Sequence, residues 1–254
     1  MEAIKEYKVL ARKYRPQKFE DLVGQDSLVQ ILKGAITNDR LAHAYVLTGV
    51  RGVGKTTTAR LIAMSINCQK RSKDNCEPCG DCDSCKSTGV DSNLDVIEMD
   101  AASNTGVDDI REIIDNVKYK PIIGKYKIFI IDEVHMLSKS AFNALLKTLE
   151  EPPEHVKFIF ATTEVKKIPI TVLSRCQRFD LLRIENNNLT KHLLKVVELE
   201  NIDIDNDAIS LIVRAADGSI RDGLSLLDQA ITNQNIKIDS KAISTMLGLA
   251  EREK

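Results

Sequence analysis

Leu47-Thr-Gly-Val-Arg-Gly-Val-Gly-Lys-Thr56 decides how the rest of the chain is read. Gly49, Gly52 and Gly54 let the backbone turn and bring its N–H groups close to phosphate oxygens, where a Cβ would clash. The whole stretch from Gly49 through Val50, Arg51, Gly52, Val53, Gly54, Lys55 and Thr56 to Thr57 is therefore the expected phosphate cradle. Lys55 is spaced to reach β- and γ-phosphates, and the Thr56 hydroxyl to ligate Mg²⁺. An apolar run, Ala44–Thr48, precedes the loop as a buried strand. Thr56–Ile66 follows as a helix whose N-terminal dipole favours phosphate. The pattern predicts binding of a nucleoside triphosphate.

Outward from this loop, short apolar runs alternate with amphipathic segments. Asp95–Met99, Lys127–Ile131 and Val156–Ala161 read as strands, and Val107–Tyr119 and Ser138–Leu149 as helices. That alternation predicts an α/β domain with a parallel sheet covered on both faces. Pro152-Pro153 ends the helix before Val156, because neither residue has an N–H to donate. Past Asp180 the strand signal stops. Leu189–Glu200, Asp207–Ala216, Arg221–Thr232 and Ser240–Leu247 all read as helices, which places a domain boundary near Asp180.

The second nucleotide motif is Lys127-Ile-Phe-Ile-Ile-Asp-Glu-Val-His135. Its apolar residues bury a central strand, and Asp132 emerges at the carboxyl end, where open α/β sheets place ligands. Asp132 is the expected Mg²⁺ holder, directly or through water. Glu133 is the expected polariser of the water that attacks the γ-phosphate. His135 reads as a packing or hydrogen-bonding histidine.

Five of the six cysteines lie between Cys68 and Cys85, and the last four run Cys76-x2-Cys79-x2-Cys82-x2-Cys85. Such thiolate density in a cytosolic chain points to Zn²⁺, since a disulfide framework does not persist there. Tetrahedral zinc needs four ligands and five cysteines are present. Cys79, Cys82 and Cys85 are the least ambiguous ligands. The fourth is Cys68 or Cys76, and Cys68 is preferred because the metal then ties the end of the phosphate-loop helix to the insertion. An iron–sulfur cluster is the competing chemistry. A structural zinc with no open position, and so no catalytic part, is the expectation.

With 254 residues the chain is long enough for a nucleotide domain and a helical domain. A net charge of −1 argues against a protein that grips nucleic acid alone through a strong global field. No run approaches the apolar length of a membrane span, and Met1–Lys13 lacks the apolar core of a signal peptide. The expected location is the cytoplasm, with no membrane partner.

Together these motifs resemble the AAA+ ATPases, and within them the clamp-loader ATPases of bacterial replication, of the gamma/tau type found in DNA polymerase III. The likeness runs from Ala11-Arg-Lys-Tyr-Arg-Pro-Gln-Lys-Phe-Glu-Asp-Leu-Val-Gly-Gln25 to Met246-Leu-Gly248. It is specific in Ala101-Ala-Ser103, Asp132-Glu-Val-His-Met-Leu137, Phe142–His155, Leu173-Ser-Arg-Cys-Gln-Arg-Phe179 and Gly218-Ser-Ile-Arg-Asp222. A cysteine insertion beside an intact Gly-x4-Gly-Lys-Thr singles out this type.

The resemblance implies a P-loop AAA+ domain over 1–180 with a zinc module at about 68–85. A small all-helical lid over 181–243 and the start of a collar domain over 244–254 would follow. It implies an ATP-driven motor, with ATP, Mg²⁺ and Zn²⁺, that opens a sliding clamp and loads it on primed DNA within a ring of loader subunits. A DNA-directed DNA polymerase label would come from membership of the holoenzyme. Arg175 corresponds to an arginine finger that completes a neighbour's site, and Arg221 to a second sensor on the lid. Thr162 or Thr163 corresponds to the first sensor, Thr163 being preferred. Tyr14 and Val23 lie where the family holds adenine. The stretch Asn104–Asp109 is poor in basic residues, so Arg111 is the one candidate there for a DNA phosphate, and it could equally pair with Asp108 or Asp115. Another AAA+ nucleic-acid remodeller, such as a branch-migration motor, and a nucleotide-binding structural subunit are the alternatives. Glu251–Lys254 reads as the end of a fragment.

Overall fold

The computed structural model describes residues 7–72, 74–232 and 238–248. In chain order its elements are α1 (Leu10–Lys13), α2 (Asp26–Thr37), β1 (Ala44–Thr48), α3 (Lys55–Ile66), α4 (Asp83–Gly89), β2 (Val96–Asp100) and α5 (Val107–Val117). β3 (Lys127–Asp132), α6 (Lys139–Glu150), β4 (Val156–Thr162), α7 (Ile170–Leu173) and β5 (Gln177–Asp180) follow. The chain then continues through α8 (Asn186–Glu200), α9 (Asn206–Ala216), α10 (Ile220–Thr232) and α11 (Ser240–Met246). Two compact units emerge: Pro16–Val50 with Gly54–Leu181, and Met1–Arg15 with Arg51–Val53 and Leu182–Lys254.

The first unit is a five-stranded sheet in the order β2-β3-β4-β1-β5, every pairing parallel. Alternation along the strands sends side chains to both faces, and β1 and β4 are buried along their whole length. On one face Val46, Phe129, Ile131, Phe158 and Phe160 pack with Ile110 and Ile113 of α5 and Phe142 and Leu145 of α6. The rings of Phe129, Phe158 and Phe160 stack at 5.4 and 5.9 Å between successive centroids. α3 packs against β1, β3 and β4. Each such fully buried side chain contributes roughly 1.5–3 kcal/mol.

Register, rather than burial alone, positions the site. Thr48 lies opposite Thr162 and opposite Asp180, and Asp100 opposite Asp132, so the carboxyl ends of the strands finish together. β5 was not legible as a strand: in Gln-Arg-Phe-Asp only Phe179 is buried, as suits a short edge strand. α5 ends at Val117 rather than Tyr119, and β2 begins at Val96 rather than Asp95. The Asp95 carboxylate instead accepts the N–H groups of Ile122, Ile123 and Gly124 at 2.6, 2.6 and 2.7 Å, pinning the loop before β3. Just past α3, the Asn67 amide pairs with Tyr126 as a strand would. Its Nδ2 donates to Tyr126 O at 2.8 Å and its Oδ1 accepts from Tyr126 N at 2.9 Å.

In the second unit, α9 packs against α8, α10 and α11, and α1 against α10. Buried residues recur at helical spacing: Leu189, Leu193 and Val196 on α8; Ala208, Ile209, Ile212 and Val213 on α9; Leu224 and Leu227 on α10. Asp239 caps α11 by accepting the Ala242 N–H at 2.8 Å. A parallel bridge joins Ile204 to Ile238. From residue 249 onward, the stretch expected to begin a collar domain lies outside the described residues, as do residues 1–6 of the lead-in.

Candidate functional site

Gly54 stands at the N-cap of α3 with φ +103°, and Gly52 has φ +78°, both left-handed conformations that suit glycine. A Cβ on Gly52 would also collide with Ser219 Oγ, and the Arg221 N–H donates to Gly52 O at 3.3 Å. With no side chain capping α3, its first-turn N–H groups are left for an external acceptor. The Lys55 ammonium is buried and donates to the carbonyls of Gly49 and Val50 at 3.0 Å each. Burial lowers its pKa, while the nearby carboxylates of Glu133 and Asp132 act the other way. A buried cation beside glycine-rich backbone and a free helix N-terminus fits a polyphosphate.

Thr56 and Asp132, 76 residues apart, meet directly: Thr56 Oγ1 donates to Asp132 Oδ2 at 2.5 Å. Asp132 Oδ1 accepts the Glu133 N–H at 2.8 Å. A hydroxyl and a carboxylate meeting beside the phosphate loop form an oxygen donor pair that suits Mg²⁺. Glu133 itself has φ +46° and ψ +42°, a left-handed backbone that costs a non-glycine residue roughly 1–3 kcal/mol and turns the chain sharply after β3. Its Oε2 accepts from Thr163 N at 3.3 Å and from Thr163 Oγ1 at 3.1 Å. Thr162 is fully buried and faces His135 instead, 3.0 Å from Nδ1.

The sulfur atoms of Cys68, Cys79, Cys82 and Cys85 lie within 4.8 Å of one another, and Cys79 and Cys85 Sγ are 4.0 Å apart. Tetrahedral Zn–S bonds of ~2.3 Å place sulfurs about 3.8 Å apart, so the four fit zinc. Backbone N–H groups already aim at them: Cys79 N at Cys68 Sγ (3.4 Å), and Asp81 N and Cys82 N at Cys79 Sγ (3.3 and 3.2 Å). Burial opposes ionisation of Cys79, yet those two donors and the neighbouring thiols bring its pKa down to about 6. Burial pushes the thiols of Cys68 and Cys85 up. Cys76 is buried outside this group, and its carbonyl accepts from Ser65 Oγ.

The remaining candidates are distributed as follows. Arg175 Nη2 pairs with Glu150 Oε1 at 2.6 Å, and its Nη1 donates to Thr171 O at 2.6 Å. Tyr14 donates to Glu200 Oε1 at 2.5 Å, and burial together with that bond raises its pKa to about 12. Val23 is half-buried in the sheet-bearing unit, and Arg221 sits in the first turn of α10. Arg111 pairs with Asp108 at 2.7 Å, one of its two expected helix partners. Thr162, the alternative to Thr163 as first sensor, and Glu164, which the sequence does not single out, flank His135, whose place in a three-residue turn carries no periodic signal.

Residues 188–244 match the DNA polymerase III clamp loader subunit, ATPase lid domain family, and residues 24–185 match the DNA polymerase III, delta subunit family. DNA polymerase III subunit gamma of Buchnera aphidicola is 48% identical over 96% of this chain and 67% of its own length. The chain belongs to the DNA polymerase III gamma/tau clamp-loader family. Subunit tau/gamma of Haemophilus influenzae is 49% identical over 96% of this chain, and subunit tau of Bacillus subtilis 52% over 89%. This chain spans only 35% and 40% of those two proteins. Among solved structures, the RuvB Holliday junction branch migration motor of Thermotoga maritima superposes with a TM-score of 0.66 over 94% of this chain and 74% of its own. At 16% identity that likeness speaks for the AAA+ fold alone. Among the described residues, no helix is long and apolar enough to cross a membrane.

Proposed function

We propose that this chain is the ATP-hydrolysing motor subunit of a bacterial replicative clamp loader, working in the cytoplasm in a ring with other loader subunits to open a sliding clamp and load it on primed DNA. The organisation we propose is an AAA+ domain over 1–180, a lid over 181–243 and a collar beginning near 244. The observation that carries the ATPase reading is the 2.5 Å bond between Thr56 and Asp132 beside the buried Lys55. Thr56 and Asp132 would hold Mg²⁺, which supplies charge neutralisation at the phosphates when bound. Lys55 neutralises the β- and γ-phosphates, and backbone N–H groups from Gly49 to Thr57 cradle them. Tyr14 and Val23 contact the adenine. A Glu133 carboxylate oxygen takes a proton from water as the water oxygen bonds to the γ-phosphorus. The bond from that phosphorus to the β–γ bridging oxygen breaks, leaving ADP and phosphate. Thr163 and Arg221 act as sensors of the γ-phosphate, and Arg175 enters a neighbour's site. Zn²⁺ on Cys68, Cys79, Cys82 and Cys85 is structural. A polymerase label belongs to the holoenzyme rather than to chemistry in this chain.

ATP binding and turnover, measured on the full-length protein assembled with its loader subunits, test this reading. Lys55→Ala should abolish tight ATP binding, because the ammonium acts on bound substrate. Glu133→Gln should keep binding and slow turnover ~10²-fold or more, because the base acts in the transition state. Near-normal turnover by Glu133→Gln would remove Glu133 from the role of base.

A further inference from the structure

His135 follows the strained turn at Glu133, and its side chain is only 6% exposed. The partners of its two ring nitrogens form a closed circuit. Glu164 N donates to Thr162 Oγ1 at 3.0 Å, and that oxygen lies 3.0 Å from His135 Nδ1. On the other side of the ring, Nε2 lies 3.3 Å from Glu164 Oε1. A hydrogen on Nδ1 is what lets the ring donate toward both Thr162 Oγ1 and Glu133 Oε2. The ring is thereby fixed in plane and rotamer, and its Nδ1 edge stands 3.4 Å from Glu133 Oε2. That same oxygen receives the two Thr163 donors. Thr163 and His135 thus meet Glu133 at one carboxylate oxygen, Oε2.

We propose that His135 is a positioning residue for ATP hydrolysis: locked by Thr162 and Glu164, its Nδ1 edge fixes Glu133 so that the carboxylate takes the proton from the attacking water. This deepens the reading of Glu133 as base and rests on it. The imidazole touches neither substrate nor metal and acts through Glu133. Displacing a reacting group by ~1 Å costs on the order of 10²-fold in rate, so a loosened Glu133 is felt in turnover rather than in affinity.

The test is steady-state ATP hydrolysis and equilibrium ATP binding by the full-length protein in its assembled loader. His135→Ala should lower kcat by about 10–10²-fold while ATP affinity stays within about twofold. His135→Asn, whose amide reaches the position of Nδ1, should recover most of the rate. His135→Gln, which reaches the position of Nε2, should not. In a Glu133→Gln background, His135→Ala should cause no further loss, since the group it positions is gone. The proposal is overturned if affinity falls in step with kcat, if Asn is as slow as Ala, or if the two substitutions multiply. Should His135→Ala fail to fold, the Asn and Gln pair decides on the same readouts. Glu133→Gln alone with unimpaired turnover would instead overturn the parent reading, and this proposal with it.

Discussion

At the carboxyl end of the sheet, Lys55, Thr56, Asp132, Glu133 and Thr163 arrive from three separate stretches of chain, whereas Cys68, Cys79, Cys82 and Cys85 all lie in one short insertion. The first group is held by parallel strands in fixed register over a large apolar core. The second has Met64 as its buried apolar neighbour and otherwise consists of its own sulfurs. A site on a sheet can be organised before its ligand arrives. The cysteine loop lacks the apolar area to do so, and on our reading its order comes from the zinc proposed for it. The cysteine cluster also carries a full tetrahedral ligand set by itself. The nucleotide site, on our reading, borrows one residue from a neighbouring copy or homologue.

Arg175→Ala probes that last contrast and carries the largest expected effect. It should leave ATP binding by its own chain within about twofold, and lower clamp- and DNA-stimulated hydrolysis in the adjacent site by ~10³-fold. Rings of defined composition, with Arg175→Ala and Lys55→Ala in chosen positions, reveal which site goes silent. Silence confined to the chain carrying the change would make the nucleotide site as self-contained as the cysteine cluster.

The next effect belongs to the metal. Cys82→Ser should abolish binding of one zinc per chain, read by elemental analysis, and cost at least ~3 kcal/mol, a fraction of the ~10–16 kcal/mol that structural zinc can contribute. Cys76→Ser should retain the zinc, because Cys76 is buried away from the four-sulfur group. Iron in place of zinc, or zinc kept by Cys68→Ser and lost by Cys76→Ser, would overturn the assignment.

The smallest effect should come from the opposite end of the sheet. Asp95→Ala strands three N–H groups, and urea unfolding should report a loss of ~2 kcal/mol. Zinc content and ATP turnover should both stay within error. A fall in turnover would mean that the two ends of β2 and β3 are less independent than their spacing implies.

What the sequence disclosed follows the same division. Local spacing exposed the phosphate loop and the cysteines, and continuous apolar runs exposed β1, β3 and β4. β5 stayed hidden because an edge strand buries one side chain in four. Spacing could not choose between Thr162 and Thr163, which are adjacent. Only the turn of the chain after β4 gives the first to His135 and the second to Glu133. His135 itself was readable as a partnered histidine but not as a neighbour of the candidate base, since that depends on a left-handed residue no residue type announces. Arg175 and Arg221 were recognisable through family likeness alone.

One rod joins the two regions. α3 begins with Lys55 and Thr56 and runs into Asn67 and Cys68, so its far end is bolted to Tyr126 and to the sulfur cluster. Twelve residues of α-helix make a lever about 18 Å long. A tilt of only ~3° about Asn67 swings the phosphate end by about 1 Å, enough at a reacting centre to change a rate by on the order of 10²-fold. On our reading, the Asn67–Tyr126 anchor at the far end of the helix therefore bears on how closely Lys55 is held at the phosphates.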